Sequence, residues 1–232
     1  KRSPWDVSSY GLGQCMLEAL ADGADALLVG LGGSATHDLA LGALQAFGYE
    51  FFTRQGKRIE TPPVPSLWDQ LGSIEPPRDR APIPLRIACD VENPLLGPQG
   101  AAAVFGPQKG LAHGDVEQMD SETARVAILL SHACGVGIQT MDTPGAGAAG
   151  GAGFGLMSGL DGVLVPGAEL VFAWSGLRPK LEQAELVITG EGRFDASSLH
   201  GKGPGTLVRL ARSKNKPVRV FAGSVGPLED PE

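Results

Sequence analysis

Four short apolar runs in this chain each lead straight into a loop of glycines, acids and hydroxyls. The runs end at Val29, Cys89, Ile188 and Phe221, and residues 26–38 (ALLVGLGGSATHD) show the pattern most fully. A short apolar run bounded by glycine reads as a strand, and helix-type periodicity separates these runs. Strands alternating with helices lie parallel and are covered on both faces. The expected fold class is therefore α/β with mainly parallel or mixed sheets. Parallel strands send their carboxyl-end loops to one sheet edge, where such sheets bind ligands. The expectation is one edge carrying four polar loops.

Composition narrows what those loops can serve. The 34 glycines cluster at 30–33, 97–110, 145–155 and 190–192, which suits several loops that approach a polyanion closely. A net charge of -7 argues against a nucleic-acid surface. No apolar run reaches membrane-spanning length and no signal peptide opens the chain, so a cytoplasmic protein is expected. Cys15, Cys89 and Cys134 lack metal-ligand spacing and read as reduced thiols. His37, His113, His132 and His200 form no cluster, so no metal is assigned to them.

Along the chain, Ser8 or Ser9 caps a helix running to about Asp22, and Gly23 closes it. After the first strand a helix is expected over 36–47, then a strand over 49–53. The proline-rich segment 61–84 reads as a surface excursion or a homodimer contact, with a helical turn or two near 66–71. Strand 85–89, a long loop 91–110 and a helix from Asp115 to about Cys134 follow. Residues 148–156 suit a helix packed through small side chains. Residues 169–174 fit helix or strand. Strand 186–188 with loop 189–192, helix 204–212 and strand 218–221 complete the order.

The chemistry-bearing residues sit in these loops. In 30–38, glycines followed by Ser34, Thr36 and Asp38 make an anion cradle if a helix starts there, with Gly32 and Gly33 giving the backbone access. The same spacing, Gly30-x-Gly32-x-x-Ala35, matches a dinucleotide fingerprint, and Glu50 lies near the distance of a ribose-binding acid. An NAD(P)-binding oxidoreductase is therefore the alternative. Asp90, at a strand end, suits a catalytic base or a magnesium carboxylate. Asn93 and Gln108 suit polar anchors, and Lys109 can neutralise a transferring phosphoryl group. Glu191 and Asp195 flank Arg193, a set able to place a metal and an anion. Lys202 lies between two glycines at a helix entry.

Taken together, these loops resemble the bacterial glycerate kinase family, the glycerate 2-kinases. The matching stretches are GLGGSATHD (30–38), ACDVENPLLGPQGAAAVFGPQKG (88–110), TPGAGAAGGAGFG (143–155), VITGEGRFDASSLHGK (187–202) and VFAGSVG (220–226). The resemblance implies ATP- and Mg2+-dependent phosphoryl transfer to a hydroxyl of D-glycerate. It also implies two domains, a mixed α/β insertion (1–151) and part of a discontinuous flavodoxin-like domain (152–232), with the site in a cleft. The residues' own chemistry makes Asp90, Lys109 and Asp195 the catalytic candidates, which the resemblance does not contradict. Gly32, Gly33, Ser34, Thr36, Asp38, Asn93, Gln108, Gly147, Gly150, Gly151, Thr189, Gly190, Glu191, Gly192, Arg193 and Lys202 are the binding candidates, and Asp90 with Glu191 the metal candidates. The chain departs from the family pattern at His37, usually Asn, at Leu39-Ala40, usually two glycines, and at Ala196-Ser197, usually Gly-Gln. The family's N-terminal motifs and C-terminal elements have no counterpart, so the resemblance implies an internal, incomplete piece. A truncated, non-catalytic remnant is the further alternative.

Overall fold

The computed structural model describes residues 3–79, 82–195, 198 and 203–227. The chain forms two compact units, Lys1–Leu164 and Val165–Glu232. Residue 151, the expected boundary, stands in a left-handed kink over 149–151 near the start of the helical segment Ala148–Leu160.

In the first unit, α1 (Tyr10–Ala21) leads to β1 (Leu27–Gly30), α2 (Leu41–Ala46) and β2 (Glu50–Thr53). β3 (Leu71–Glu75) and β4 (Leu85–Ala88) follow, then a short π-helical turn at Ala101–Phe105 that runs into α3 (Gly106–Lys109). α4 (Val116–Cys134) and α5 (Ala148–Leu160) follow, and β5 (Val163–Val165) spans the end of the unit at Leu164. The sheet order is β1-β4-β5, with β1 and β4 parallel and Gly30 opposite Ala88. β2 and β3 form a separate antiparallel pair, which gives the mixed α/β character. α4 buries Met119, Val126, Ala127 and Leu130 on one face, the helical spacing expected of it. These join Leu39, Leu41, Leu44, Phe51, Trp68 and Phe154 in one core.

The proline-rich segment departs from expectation. Rather than a surface excursion, it forms a 3-10 turn (Pro65–Gln70), where a helical turn is expected, and β3, and it buries Trp68, Leu71 and Ile74. Trp68 Nε1 donates to Pro63 O at 2.9 Å, and the Arg125 guanidinium donates to the carbonyls of Leu71 and Trp68. The prolines thus flank a paired strand and none stands within it.

The second unit contains α6 (Gly167–Trp174), α7 (Leu177–Gln183), β6 (Val187–Phe194), α8 (Gly203–Ser213) and β7 (Val218–Val225). β6 and β7 pair in parallel from Val187 opposite Val218 to Phe194 opposite Val225. Leu181, Val187 and Ala211 form its small core with Leu207, Leu210 and Val218. The expected single sheet edge is therefore two edges. The loops after β1 and β4 share one, and the ends of β6 and β7 share another.

Candidate anion-binding site

Parallel pairing of β1 and β4 brings their carboxyl ends side by side, and Leu31 N donates to Ala88 O at 2.9 Å as the last rung. Beyond that rung the chain does not start a helix. Residues 31–40 are irregular, and α2 begins only at Leu41, after Leu39 and Ala40 at φ 54° and 55°. Long-range bonds override the local helix signal. The Asp38 carboxylate accepts from Ser9 N at 2.7 Å, Ser9 Oγ at 2.7 Å and Gly42 N at 3.3 Å, while Leu39 N donates to Gly150 O at 3.2 Å. The predicted cradle at a helix N-terminus is thus corrected to a loop cradle. Among the described residues, no hydrogen-bond partner takes the backbone N–H groups of Gly32, Gly33, Ser34, Ala35 or Thr36.

This loop forms one wall of a cavity of about 520 Å³. Leu31, Gly32, Gly33, Ser34 and Ala35 line it from one side, Val91 from the β4 loop, Phe105, Gln108 and Lys109 from the π-turn and α3, and Ala148 and Ala149 from the start of α5. Lys109 is the cation of this lining. It stands in the last turn of α3, a helix end that favours positive charge. Its Nζ donates to Thr36 O at 2.7 Å, which fixes it against the loop. Burial pushes its pKa down to about 8, with the Asp38 charge opposing that shift. The lysine is therefore protonated at neutral pH yet only weakly hydrated, a state in which it attracts an anion strongly.

Gly32, Gly33, Ser34, Gln108 and Lys109 meet at this cavity as their spacing suggested, and Thr36 joins through its carbonyl. Asp38 does not reach it. The residue is buried, its carboxylate is turned to Ser9 and Gly42, and burial raises its pKa. Gly147, Gly150 and Gly151 do not line it either. A Cβ at Gly147 would overlap Pro94 O, one at Gly150 would overlap Thr36 O, and one at Gly151 would crowd the Leu39 side chain. Gly147 N already donates to Asn93 O at 3.0 Å and Gly151 N to Gly147 O at 3.3 Å. These glycines permit close chain packing, and their alanine neighbours face the cavity. Asn93 Nδ2 donates to Gln99 O at 2.8 Å, which ties its loop together. Asp90 is half-buried directly after β4, beside the lining residue Val91.

Sequence reasoning missed Leu31, Val91, Phe105, Ala148 and Ala149 as lining residues, because single apolar residues in a glycine-rich stretch carry no chemical signal. It also missed the helical turn over 101–109. That turn had one readable mark, Pro107 inside the first turn of α3, where proline is tolerated.

In the second unit Thr189, Gly190, Glu191, Gly192 and Arg193 are not a loop. β6 continues through them, paired with β7 as far as Phe194. Gly190 is a close-approach glycine, since a Cβ there would overlap Phe221 O. Arg193 Nε meets Asp195 Oδ2 at 3.0 Å in an exposed pair, and Asp195 N donates to Ser198 Oγ at 3.1 Å in the turn that follows. Lys202 lies outside the described residues, as do Ala196, Ser197 and His200.

Residues 1–230 match the Glycerate kinase family. The chain belongs to the glycerate kinase family. Among curated relatives, it is 38% identical to a glycerate kinase of Halalkalibacterium halodurans over 97% of this chain, and 39% identical to a glycerate 2-kinase of Escherichia coli K12 over 97%. The chain spans 59% of the length of each of these relatives. A crystal structure from Salmonella typhimurium LT2, provisionally described as glycerate kinase 2, aligns with a TM-score of 0.75 at 36% identity, covering 98% of this chain and 63% of that one. The family fold agrees with the mixed α/β architecture, and the comparisons give the dinucleotide-binding oxidoreductase reading no support. Among the described residues, no group of three or more His, Cys, Asp or Glu is placed to hold a metal, and no helix is long and apolar enough to cross a membrane.

Proposed function

We propose that the chain is part of a cytoplasmic kinase that moves the γ-phosphoryl group of ATP to a hydroxyl of D-glycerate, giving a phosphoglycerate. Family membership supports the reaction class. The observation that carries the site assignment is the cavity walled by the free backbone N–H groups of 32–36 and held positive by Lys109. In such a transfer the protein's work is positioning and charge stabilisation. Gly32, Gly33 and Ser34 offer backbone and hydroxyl donors to anionic oxygens. Lys109 faces the charge on a phosphoryl or carboxylate group, and Gln108 adds an amide. Asp90, one residue before the lining residue Val91, is the candidate to accept the proton of the acceptor hydroxyl. In the second unit, Thr189, Arg193 and Asp195 are the corresponding candidates for a second polar contact with substrate or nucleotide.

Magnesium in this chemistry is held by one or two carboxylates plus phosphate oxygens, and it supplies charge neutralisation on the transferring group. The residues present fit that mode. Asp90 in the first unit and Glu191 in the second are each, taken separately, a single carboxylate of suitable chemistry, and Glu191 Oε1 is enclosed without a hydrogen-bond partner among the described residues.

The test is ATP consumption dependent on D-glycerate in the full-length protein, with the product identified by phosphorus NMR to separate 2- from 3-phosphoglycerate. No glycerate-dependent turnover would sink the reading. With Asp90 as base, Asp90→Asn lowers kcat by about a hundredfold or more. An unchanged kcat removes Asp90 from that role.

A further inference from the structure

His37 is unused by the proposed chemistry, yet it is sealed in the fold at 0% exposure, one residue from the carbonyl that anchors Lys109. Its Nε2 lies 3.1 Å from Thr123 Oγ1 on α4. That hydroxyl has one hydrogen, and it is given to Met119 O at 2.6 Å, an atom that only accepts. Thr123 therefore accepts from His37, the proton sits on Nε2, and Nδ1 presents a bare lone pair. Nδ1 is buried and has no hydrogen-bond partner among the described residues, and Asp38 Oδ1 shares that condition. Thr36 O, His37 Cα and Lys109 Nζ converge on one point beside Gly150, where a Cβ would stand 3.0 Å from Nζ. Lys109 uses one of its three hydrogens on Thr36 O.

We propose that Thr36, His37 and Asp38 form a berth for the Lys109 ammonium, with the Thr123-locked neutral tautomer of His37 setting where that cation sits at the cavity. The proposal rests on reading the cavity as an anion site. His37 is a positioning residue: it acts through Lys109 and touches no substrate. Neutrality is required, because an imidazolium there would repel the lysine. Burial and Lys109 together push the His37 pKa down to about 3, so the ring stays neutral through the working range. Among the described residues, the titratable groups that the Lys109 charge acts on are His37 and the buried Asp38, both in the loop ahead of α2.

Two substitutions separate the two ring nitrogens. His37→Gln keeps an amide near the Nε2 position and with it the tie to Thr123, but loses the Nδ1 acceptor. His37→Asn keeps an acceptor near Nδ1 and loses the tie. The readout is the pH midpoint of Lys109 acylation by acetic anhydride, followed by peptide mass spectrometry on the full-length protein. The berth predicts that His37→Gln lowers the midpoint by about half a unit, roughly a threefold loss of the protonated form, while His37→Asn holds it near the wild-type value. Thr123→Val, which frees the tautomer from the α4 side, shifts it in the same direction as His37→Gln. An unmoved midpoint in both His37→Gln and Thr123→Val overturns the proposal, as does an equal shift in His37→Gln and His37→Asn, which marks general loosening. Inorganic phosphate probes the cavity separately. If phosphate fails to protect Lys109 in the wild-type protein, the anion-site reading falls, whereas the midpoints still decide whether the berth exists.

Discussion

Two glycine stretches of this chain, 30–38 and 189–195, look alike in sequence and fold in opposite ways. Each follows an apolar strand, and each mixes glycine with acids and hydroxyls. The first leaves its sheet after one rung, because Asp38 is pulled inward by Ser9 and Gly42 and the lysine of α3 reaches in from the side. The second stays in its sheet, because β7 pairs with it from Val187 to Glu191 and again at Arg193 and Phe194. Glycine therefore allows close approach in both places, but the approaching group differs: open cavity at Gly32 and Gly33, and the neighbouring strand at Gly190. What leaves the first glycine loop open to a ligand is the lack of a competing backbone partner among the described residues.

The largest effect that comparison predicts is at Asp38. Its carboxylate satisfies Ser9 N, Ser9 Oγ and Gly42 N inside the fold. Asp38→Ala leaves those donors buried and unpaired, which costs about 3–5 kcal/mol of stability. Urea unfolding checks it. Asp195→Ala, which breaks the solvent-exposed pair with Arg193, is expected to cost less than Asp38→Ala, about 1 kcal/mol for that pair, by the same measurement. Equal losses would break the contrast between an internally pinned loop and an edge strand.

Gly150 gives the next largest effect. It sits at φ 73°, and a Cβ there overlaps Thr36 O and His37 Cα. Gly150→Ala combines left-handed strain with overpacking, and an expected loss of about 3 kcal/mol follows. Because the displaced groups are those that hold Lys109, weaker phosphate protection of that lysine should accompany the loss.

Elements whose signal is local were legible in the sequence. Helix α1 with its close at Gly23, strands β1 and β4, and the buried face of α4 all follow from periodicity and end signals. The onset of α2 was not, since Leu39 and Ala40 take left-handed backbone only because Asp38 and Gly150 hold the segment from afar. β3 was hidden by the prolines around it, and the turn over 101–109 by its glycines. In the candidate site, Ser34, Gln108 and Lys109 carry chemistry that any reading of 30–38 and 91–110 would find. The bond between His37 and Thr123 spans 86 positions and had no sequence signal. The glycines of 147–151 were misread for a related reason: small residues mark close packing as readily as ligand access, and only tertiary contacts tell the two apart.

Lys109 supplies a graded effect with a definite sign. Its folded pKa, about 8, lies below the 10.5 of an unperturbed lysine. The cation is present below the lower value, so phosphate affinity at the cavity holds at neutral pH and falls as pH rises through 8, approaching tenfold per unit above it. Stability moves the other way. Between the two values the unfolded chain holds a proton that the folded chain has released, so this group's contribution to stability rises with pH across that window. Phosphate titrations and urea midpoints over the same pH range measure both arms. Parallel movement of affinity and stability would show that Lys109 does not govern the cavity.

The smallest effect sharpens the comparison most. Gly192 lies in β6 at ordinary backbone angles, and nothing stands within 4 Å of the Cβ it lacks. The fold gives no reason for glycine there, and Gly192→Ala should be neutral or stabilising by about 0.5 kcal/mol, since alanine loses less chain entropy on ordering in a strand. That indifference separates the two uses of glycine. If stability is unchanged and the KM for ATP or glycerate is also unchanged, Gly192 is a spacer in a strand. If stability is unchanged while one KM rises, the open space over Gly192 is where a substrate anion comes close, and β6 then binds through a paired strand what 30–38 binds through an unpaired loop.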